Sequence, residues 1–430
     1  MSRWPWPRRS SFFLTVLAIH ALLVIYWFSR DDTAVSSPPS PLTQSLEKPN
    51  RLTTTHCLTT FPSLYHEINR PVDLWKTTKN HTLTPTDASI SWHPTGPLDG
   101  GALRVLVHNN HLRVLESRNA VRDPVFRERA LGVLHLLHRA LQSTDEVLPT
   151  IETAIVLQDI SYPPTEDGTH SFWTFARPYR DVHFNRTAES EGEILRYERY
   201  LSAETFARVW VIPNFDFWAT ASIGKFDDMR QRAREHDQPF EQKISKVVWR
   251  GTEWTNPTIR SALVNVTNGK DWADVTYTSP FSNDNHIPTP DMCAYAMTIH
   301  TEGFSYSGRL THLLACDSLV FIHNLTYTTH YYHLLRASGP DQNYVPVRDD
   351  FSDLEEKVRY YLDHPGDAER IISNHLKVFR ERYLTTRATD CYFLHLIRGY
   401  ASVAFTPEVD HFALPGRDYQ AFIDHPEDFS

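Results

Sequence analysis

The stretch from Thr301 to Asn324, TEGFSYSGRLTHLLACDSLVFIHN, constrains this chain more than any other. A loop of small and hydroxyl-bearing residues, with Ser305, Ser307 and Gly308 at its centre, runs into Leu310, Leu313 and Leu314 at helical spacing, and SLVFI (318–322) then reads as a short buried strand. Loop, short helix and apolar strand in that order belong to an α/β fold. Arg309 brings a planar, permanently charged fork to the helix start, where unpaired backbone N–H groups already favour negative charge, so the turn reads as an anion cradle. A surface loop between core elements has the same composition, and the rest of the chain has to decide between the two.

At 430 residues, 41% hydrophobic and 12% aromatic, the chain is long enough for two or three domains with cores of their own. A formal charge of -9, from 43 basic and 52 acidic residues, leaves no basic footprint and excludes nucleic acid as a partner. Residues 11–28 (SFFLTVLAIHALLVIYWF) carry no formal charge and cover about 27 Å as a helix, enough for one span of a thin bilayer. Arg3, Arg8 and Arg9 precede the run and Asp31 and Asp32 follow it, so residues 1–10 are expected in the cytosol and the body in the lumen of the endoplasmic reticulum or Golgi, as in a type II membrane protein. The chain ends in PEDFS, which reads as no retrieval signal. Cys57, Cys293, Cys316 and Cys391 lack metal-ligand spacing and suit one or two disulfides whose pairing is open. Asn80, Asn185, Asn265 and Asn324 open N-x-T triplets that a lumenal body would expose to glycosylation.

Residues 29–101 read as a Ser/Pro-rich stem and a partly ordered lead-in. From Ala102, the runs LRVLVH and HLRVLE flank Asn109-Asn110, residues that tolerate positive φ, and predict a β-hairpin. Pro124 opens a helix with Ala130, Leu134, Leu137 and Leu141 on its apolar side, and IETAIVL (151–157) is a strand ending at Gln158-Asp159. Asp159 thus stands at the carboxyl end of a strand, where α/β enzymes present their chemistry, although an Asp before SYPP also suits a plain turn. Residues 172–199 predict a loop, with a helix near 191–201. After the strand VWVIP (209–213), Phe217 and Trp218 suit stacking on a sugar or base, or packing between domains. A third strand leads into Arg250-Gly-Thr252, with Arg260 in the helix beyond; these read as a second phosphate contact or as surface partners of carboxylates. Ser352 to Glu355 predicts a capping box, and 406–430 an irregular tail.

WRGTEW with Arg260, EGFSYSGRLTHLLACDSLVF, NYVPVRDDFSDLEEKV and CYFLHLIRGY, in this order and spacing, together resemble glycosyltransferase family 90, over roughly Ala102 to Val403. The resemblance implies an α/β fold of GT-B type, two Rossmann-like domains facing a cleft, with residues 102–205 as the N-terminal acceptor domain and 206–405 as the nucleotide-sugar domain. It further implies inverting transfer of a sugar, xylose or glucose, from a UDP-sugar to a hydroxyl of a glycan or glycoprotein acceptor. Asp159 matches the family's base, while Arg250, Thr252, Arg260 and the segment Phe304, Ser305, Ser307, Gly308, Arg309 match its donor-binding residues, and Phe217 and Trp218 an aromatic pair near the donor sugar. No two aspartates stand two apart, so the D-x-D metal pair of other nucleotide-sugar enzymes is absent and no cofactor is expected, with metal dependence open. The membrane-anchored organisation favours a glycan over a folded protein domain as acceptor. The other expectation is a catalytically inactive member serving as a lumenal carbohydrate-binding or scaffolding protein.

Overall fold

In the computed structural model of the chain, Asn109 and Asn110 adopt φ of 49° and 59°, the left-handed pair that a two-residue hairpin turn requires. β1 (Ala102–His108) and β2 (His111–Arg118) accordingly pair antiparallel, with His108 opposite His111. The structure describes residues 51–77, 82–93, 100–159, 170–190, 193–220, 223–279, 284–410 and 412–426. The expected span at 11–28, the stem that follows it and the sequon at Asn80 lie outside them; among the described residues no helix is long and apolar enough to cross a membrane. The chain from Arg51 to Ser430 forms one compact unit.

Two sheets organise that unit. The first takes β1, β2, β3 (Ile151–Val156), β4 (Phe172–Thr174) and β5 (Trp210–Val211); the second takes β6 (Ile244–Gly251), β7 (Ala273–Tyr277), β8 (Tyr295–His300), β9 (Leu319–His323) and β10 (Val345–Val347); β11 (Arg417–Asp418) returns to the first. The second sheet is parallel throughout, in the order β7-β6-β8-β9-β10. Its central strands are buried on both faces, which explains the unbroken apolar runs VVW and LVFI. The strand order reverses between β6 and β8, so a crevice opens beyond their carboxyl ends. The first sheet runs β11-β2-β1-β3-β4-β5, antiparallel up to β3 and parallel only from β3 to β5. It is therefore a mixed sheet and not the repeated Rossmann unit expected, because the two residues that join β1 to β2 cannot make a crossover.

Four expectations need correction. Residues 182–201 form a hairpin of Val182–Ser190 and Glu193–Leu201 instead of a loop and helix; the β-branched and aromatic residues of VHFNRTAES and EILRYERYL favour that pairing. The tail is regular where it returns: β11 pairs with β2 and the helix Tyr419–Asp424 follows. The boundary at 205/206 also falls too early, since β5 belongs to the first sheet, and so does the helix Thr386–Ala401 beyond the second sheet. In that helix Tyr392 donates to the Val211 carbonyl at 2.6 Å, Tyr400 meets Trp210 edge-on at 5.2 Å, and Asp390 pairs with Arg139 at 2.8 Å. The predicted capping box is likewise absent, as the helix Leu354–Asp363 has Asp353 at its N-cap.

The lead-in is part of the same core. Helices Thr54–Thr60 and His66–Thr77 pack on Thr386–Ala401, and a disulfide joins Cys57 to Cys391 across 334 residues. The second bridge, Cys293–Cys316, ties the turn before β8 to the chain before β9. Closing so long a loop restricts the unfolded chain, so Cys57→Ala with Cys391→Ala should lower stability by about 2–5 kcal/mol, read from urea midpoints at constant m. An unchanged midpoint would show that the lead-in docks without the bridge.

Candidate active site

The loop from Thr301 to Arg309 leaves β8 beside the switch in strand order and is held from both sheets. On the side of the first sheet, the Ser305 hydroxyl donates to the Asp159 carbonyl. Tyr306 is buried with its hydroxyl 3.2 Å from Asn214 Nδ2, and Asn214 also donates to Asp216 Oδ2 at 2.7 Å. A Cβ on Gly308 would lie 1.8 Å from that same Asp216 oxygen, so a larger residue there would have to displace the Asp216 carboxylate. On the side of the second sheet, Arg309 donates to the Arg250 carbonyl, Asn256 to the Gly303 carbonyl at 3.2 Å, and Arg260 Nε to the Glu302 carbonyl at 3.2 Å.

Asp159 stands beyond the end of β3, with its carboxylate 36% exposed and held by Arg129 at both oxygens, 3.0 Å from Nη1 and 3.1 Å from Nη2. Arg129 reaches it from the helix Pro124–Gln142, whose first turn is capped by Asp123, and also donates to the Leu157 carbonyl at 2.9 Å. Asp216 follows β5 in the same way that Asp159 follows β3. Burial pushes its carboxyl up to about 6, opposed by the Arg129 charge and the Asn214 hydrogen bond and reinforced by Asp159. Asp159, through its carbonyl, and Asp216, through its carboxylate beside Gly308, thus both border the loop beyond the carboxyl ends of parallel strands. Sequence reasoning missed Asp216, although it sits one residue before the aromatic pair it singled out.

That pair faces elsewhere. Phe217 is 3% exposed and packs against Phe226, His330 and Tyr331, while Trp218 stacks on His135 at 4.6 Å. In the turn Phe215–Phe217 successive residues point in different directions, and Phe217 takes the core. Arg250 is also corrected. It donates to Asp274 Oδ1 and the Asp274 carbonyl, both at 2.7 Å, and to the Asn285 carbonyl at 2.7 Å, so its guanidinium fastens β6 to β7 and its carbonyl positions Arg309.

Arg309 and Arg260 differ from Arg250 in one respect: among the described residues, neither forms an ion pair with a carboxylate. Arg260 donates to the Thr252 carbonyl at 2.6 Å and lies over the Trp249 ring at 5.7 Å. Burial pulls Arg309 down to about 10, and burial together with the nearby Arg309 charge pulls Arg260 down to about 9. His300 and His312, buried and with both ring nitrogens lacking a protein partner, are kept neutral by burial and the same cations. Two desolvated guanidiniums without a counter-charge are costly unless an anion completes them, and paired forks match a diphosphate. Thr252 and the half-buried Ser307 border this place, and Phe304 meets the exposed indole of Trp254 at 5.3 Å. Among the described residues no group of His, Cys, Asp or Glu is disposed to hold a metal ion.

Glu302 anchors the loop's first turn, accepting the Thr326 and Tyr327 N–H groups at 2.9 and 2.8 Å, and burial pushes it up to about 7. The fold therefore binds the Glu302 proton more tightly than the unfolded chain does, and this contribution to stability is present below about pH 4.5 and lost as pH rises to about 7. Glu302→Gln should remove that decline, so thermal midpoints of the two proteins should diverge across this window; parallel curves would show that the carboxyl does not titrate there. Gly308→Ala should cost about 1–3 kcal/mol through overpacking, and Asp216→Ala in the same chain should recover part of it in a double-mutant cycle.

The family model for glycosyl transferase family 90 matches residues 194–413, about half of the chain. Protein O-glucosyltransferase 2 of Danio rerio is 28% identical over 231 residues, which cover 51% of this chain and 44% of that protein. Protein O-glucosyltransferase 1 of Homo sapiens is 24% identical over 293 residues, 65% of this chain and 68% of the relative. The O-glucosyltransferase LpsA of Dichelobacter nodosus is 26% identical over 241 residues, 49% and 74% respectively. The match thus spans less than half the length of the Danio rerio protein and about two thirds of the human one.

Proposed function

Since the chain belongs to glycosyl transferase family 90, we propose that it moves a sugar, xylose or glucose, from a UDP-sugar to a hydroxyl of a glycan or glycoprotein acceptor. The observation that carries this reading is the buried pair Arg309 and Arg260, two cations without a carboxylate beside two carboxylates on the first sheet. A departing nucleoside diphosphate needs the cations; an attacking hydroxyl needs a carboxylate.

In this mechanism the acceptor oxygen forms its bond to the anomeric carbon from the side of the first sheet, and its proton passes to Asp159. The bond from the anomeric carbon to the diphosphate breaks on the opposite side, with inversion, and Arg309 and Arg260 hold the negative charge that leaves with the diphosphate. Asp216 lies close enough to Arg129 and Asp159 that both charges act on its carboxyl, which burial pushes up to about 6. The two sheets are read as the halves of a GT-B architecture, with the donor on the parallel one. Exposed Asn265 and Asn324 and two disulfides support a lumenal body anchored by residues 11–28.

The lock of Arg129 on both Asp159 oxygens favours a second reading, an inactive member that binds sugar nucleotide without transfer, since both oxygens of the carboxylate are already engaged by the guanidinium. Donor hydrolysis and transfer by the purified protein separate the two. Asp159→Asn should lower transfer by about 10²–10⁴-fold with UDP affinity nearly intact, and equal activity would remove Asp159 from the base role. Arg309→Ala should weaken UDP binding by about 2 kcal/mol or more, measured by calorimetry. Undiminished binding would sink the diphosphate assignment.

A further inference from the structure

Gly132 stands in the interior of the helix Pro124–Gln142, where glycine costs about 1 kcal/mol against alanine. A Cβ there would lie 2.8 Å from Cβ and 3.4 Å from Cα of Phe215, so the missing side chain lets the turn that follows β5 press directly on the helix. Arg129 lies three residues earlier, on the same helix face. Its guanidinium carbon is 5.2 Å from the centre of the Phe215 ring and 5.6 Å from that of Phe126, so the two rings brace it. Nη1 donates to the Leu157 carbonyl at 2.9 Å, Nε is buried and makes no hydrogen bond among the described residues, and the side chain is 14% exposed.

The braced fork meets a carboxylate that has little else to fix it. Among the described residues, Arg129 is the one hydrogen-bond and ion-pair partner of the Asp159 side chain, while Ser305 holds that residue by its carbonyl. A carboxylate on rotatable bonds takes many orientations, and a bidentate guanidinium selects one. It does so without closing the site. A carboxylate has about four acceptor positions, of which the fork takes one on each oxygen, and the Asp159 carboxylate is still 36% exposed. Burial opposes the Arg129 charge, but Asp159 above all, with Tyr306 and Asp216, raises Arg129 above its usual range, so the fork stays charged.

We infer that Arg129 is a positioning residue for Asp159, aiming the free lone pairs of that carboxylate at the acceptor oxygen, and that Gly132 and Phe215 in turn fix Arg129. The inference rests on the transfer reading above, in which the acceptor proton passes to Asp159. It gives the two-point contact the opposite consequence from the one it has in an inactive member, where the same contact blocks the base. The two consequences predict opposite effects of loosening Arg129.

The test measures UDP release from UDP-glucose and UDP-xylose by the full chain, with water as acceptor, at a temperature well below the thermal midpoint of each variant. Arg129→Lys keeps the charge and loses the fork. It should lower kcat about 10²-fold, the cost of a misplaced catalytic group, with the donor KM and the UDP dissociation constant within about twofold of the unaltered protein. Gly132→Ala leaves Arg129 and Asp159 themselves unaltered, improves helix propensity and displaces Phe215; it should lower kcat about tenfold in the same pattern, and it decides the matter should Arg129→Lys fold poorly. Millimolar guanidinium should restore part of the turnover lost in Arg129→Ala, which a role confined to stability would not show. Undiminished kcat in Arg129→Lys and Gly132→Ala overturns the inference and leaves the transferase reading intact. A rise in kcat overturns it as well, by making Arg129 a lock. If the unaltered protein releases UDP from neither donor, the transferase reading itself fails and the inference falls with it.

Discussion

The structure depends on a loop that neither sheet could hold alone. Thr301 to Arg309 leaves the parallel sheet, takes a hydroxyl contact to the Asp159 carbonyl and packs its glycine against Asp216 on the mixed sheet, then returns Arg309 to the Arg250 carbonyl. The cation is positioned by a carbonyl and not by a carboxylate, which orients its fork without neutralising it. An arginine in a salt bridge, as Arg250 is with Asp274, would already be satisfied and could offer little to a ligand. Arg309 and Arg260 are thereby desolvated without being neutralised.

Holding such a loop between two sheets requires the sheets to keep their places. The helix Thr386–Ala401 crosses back to the mixed sheet after the chain has finished the parallel one, and the Cys57–Cys391 bridge fastens the lead-in to it. Beneath the lead-in, Glu67 gathers Arg70 and Arg177, whose neighbour Pro178 lies in the strand pairing with Tyr327 from the second sheet. Glu302 then links the Thr326–Tyr327 turn to the loop itself.

Much of this was legible from residues in order. Two asparagines between alternating apolar runs can hardly be anything but a hairpin, and apolar runs followed by glycine, hydroxyl and arginine mark parallel strands with ligand loops. The matched segment of glycosyl transferase family 90 lies where those loops are. Asp159 and the Ser305–Arg309 loop were readable because backbone geometry and one side chain suffice to define each. The hairpin at 182–201 was not, as its charged residues disguise the two-residue period.

What the sequence by itself determined is the set of local elements and the charges they carry: strands from apolar runs, turns from Asn and Gly, a loop of Ser, Gly and Arg after a buried strand. Only the tertiary structure decided which of those charges remain available. Arg250, Arg260 and Arg309 are equal as letters, yet Asp274, 24 residues on, occupies the first, and among the described residues no carboxylate pairs with the others. Asp216 and Phe217 are adjacent, yet one meets the loop and the other fills the core. Availability depends on partners distant in the chain, and pairing in three dimensions carries no local signature, because a charge is neutralised by whichever group the fold brings within a few ångströms and not by its neighbours in sequence.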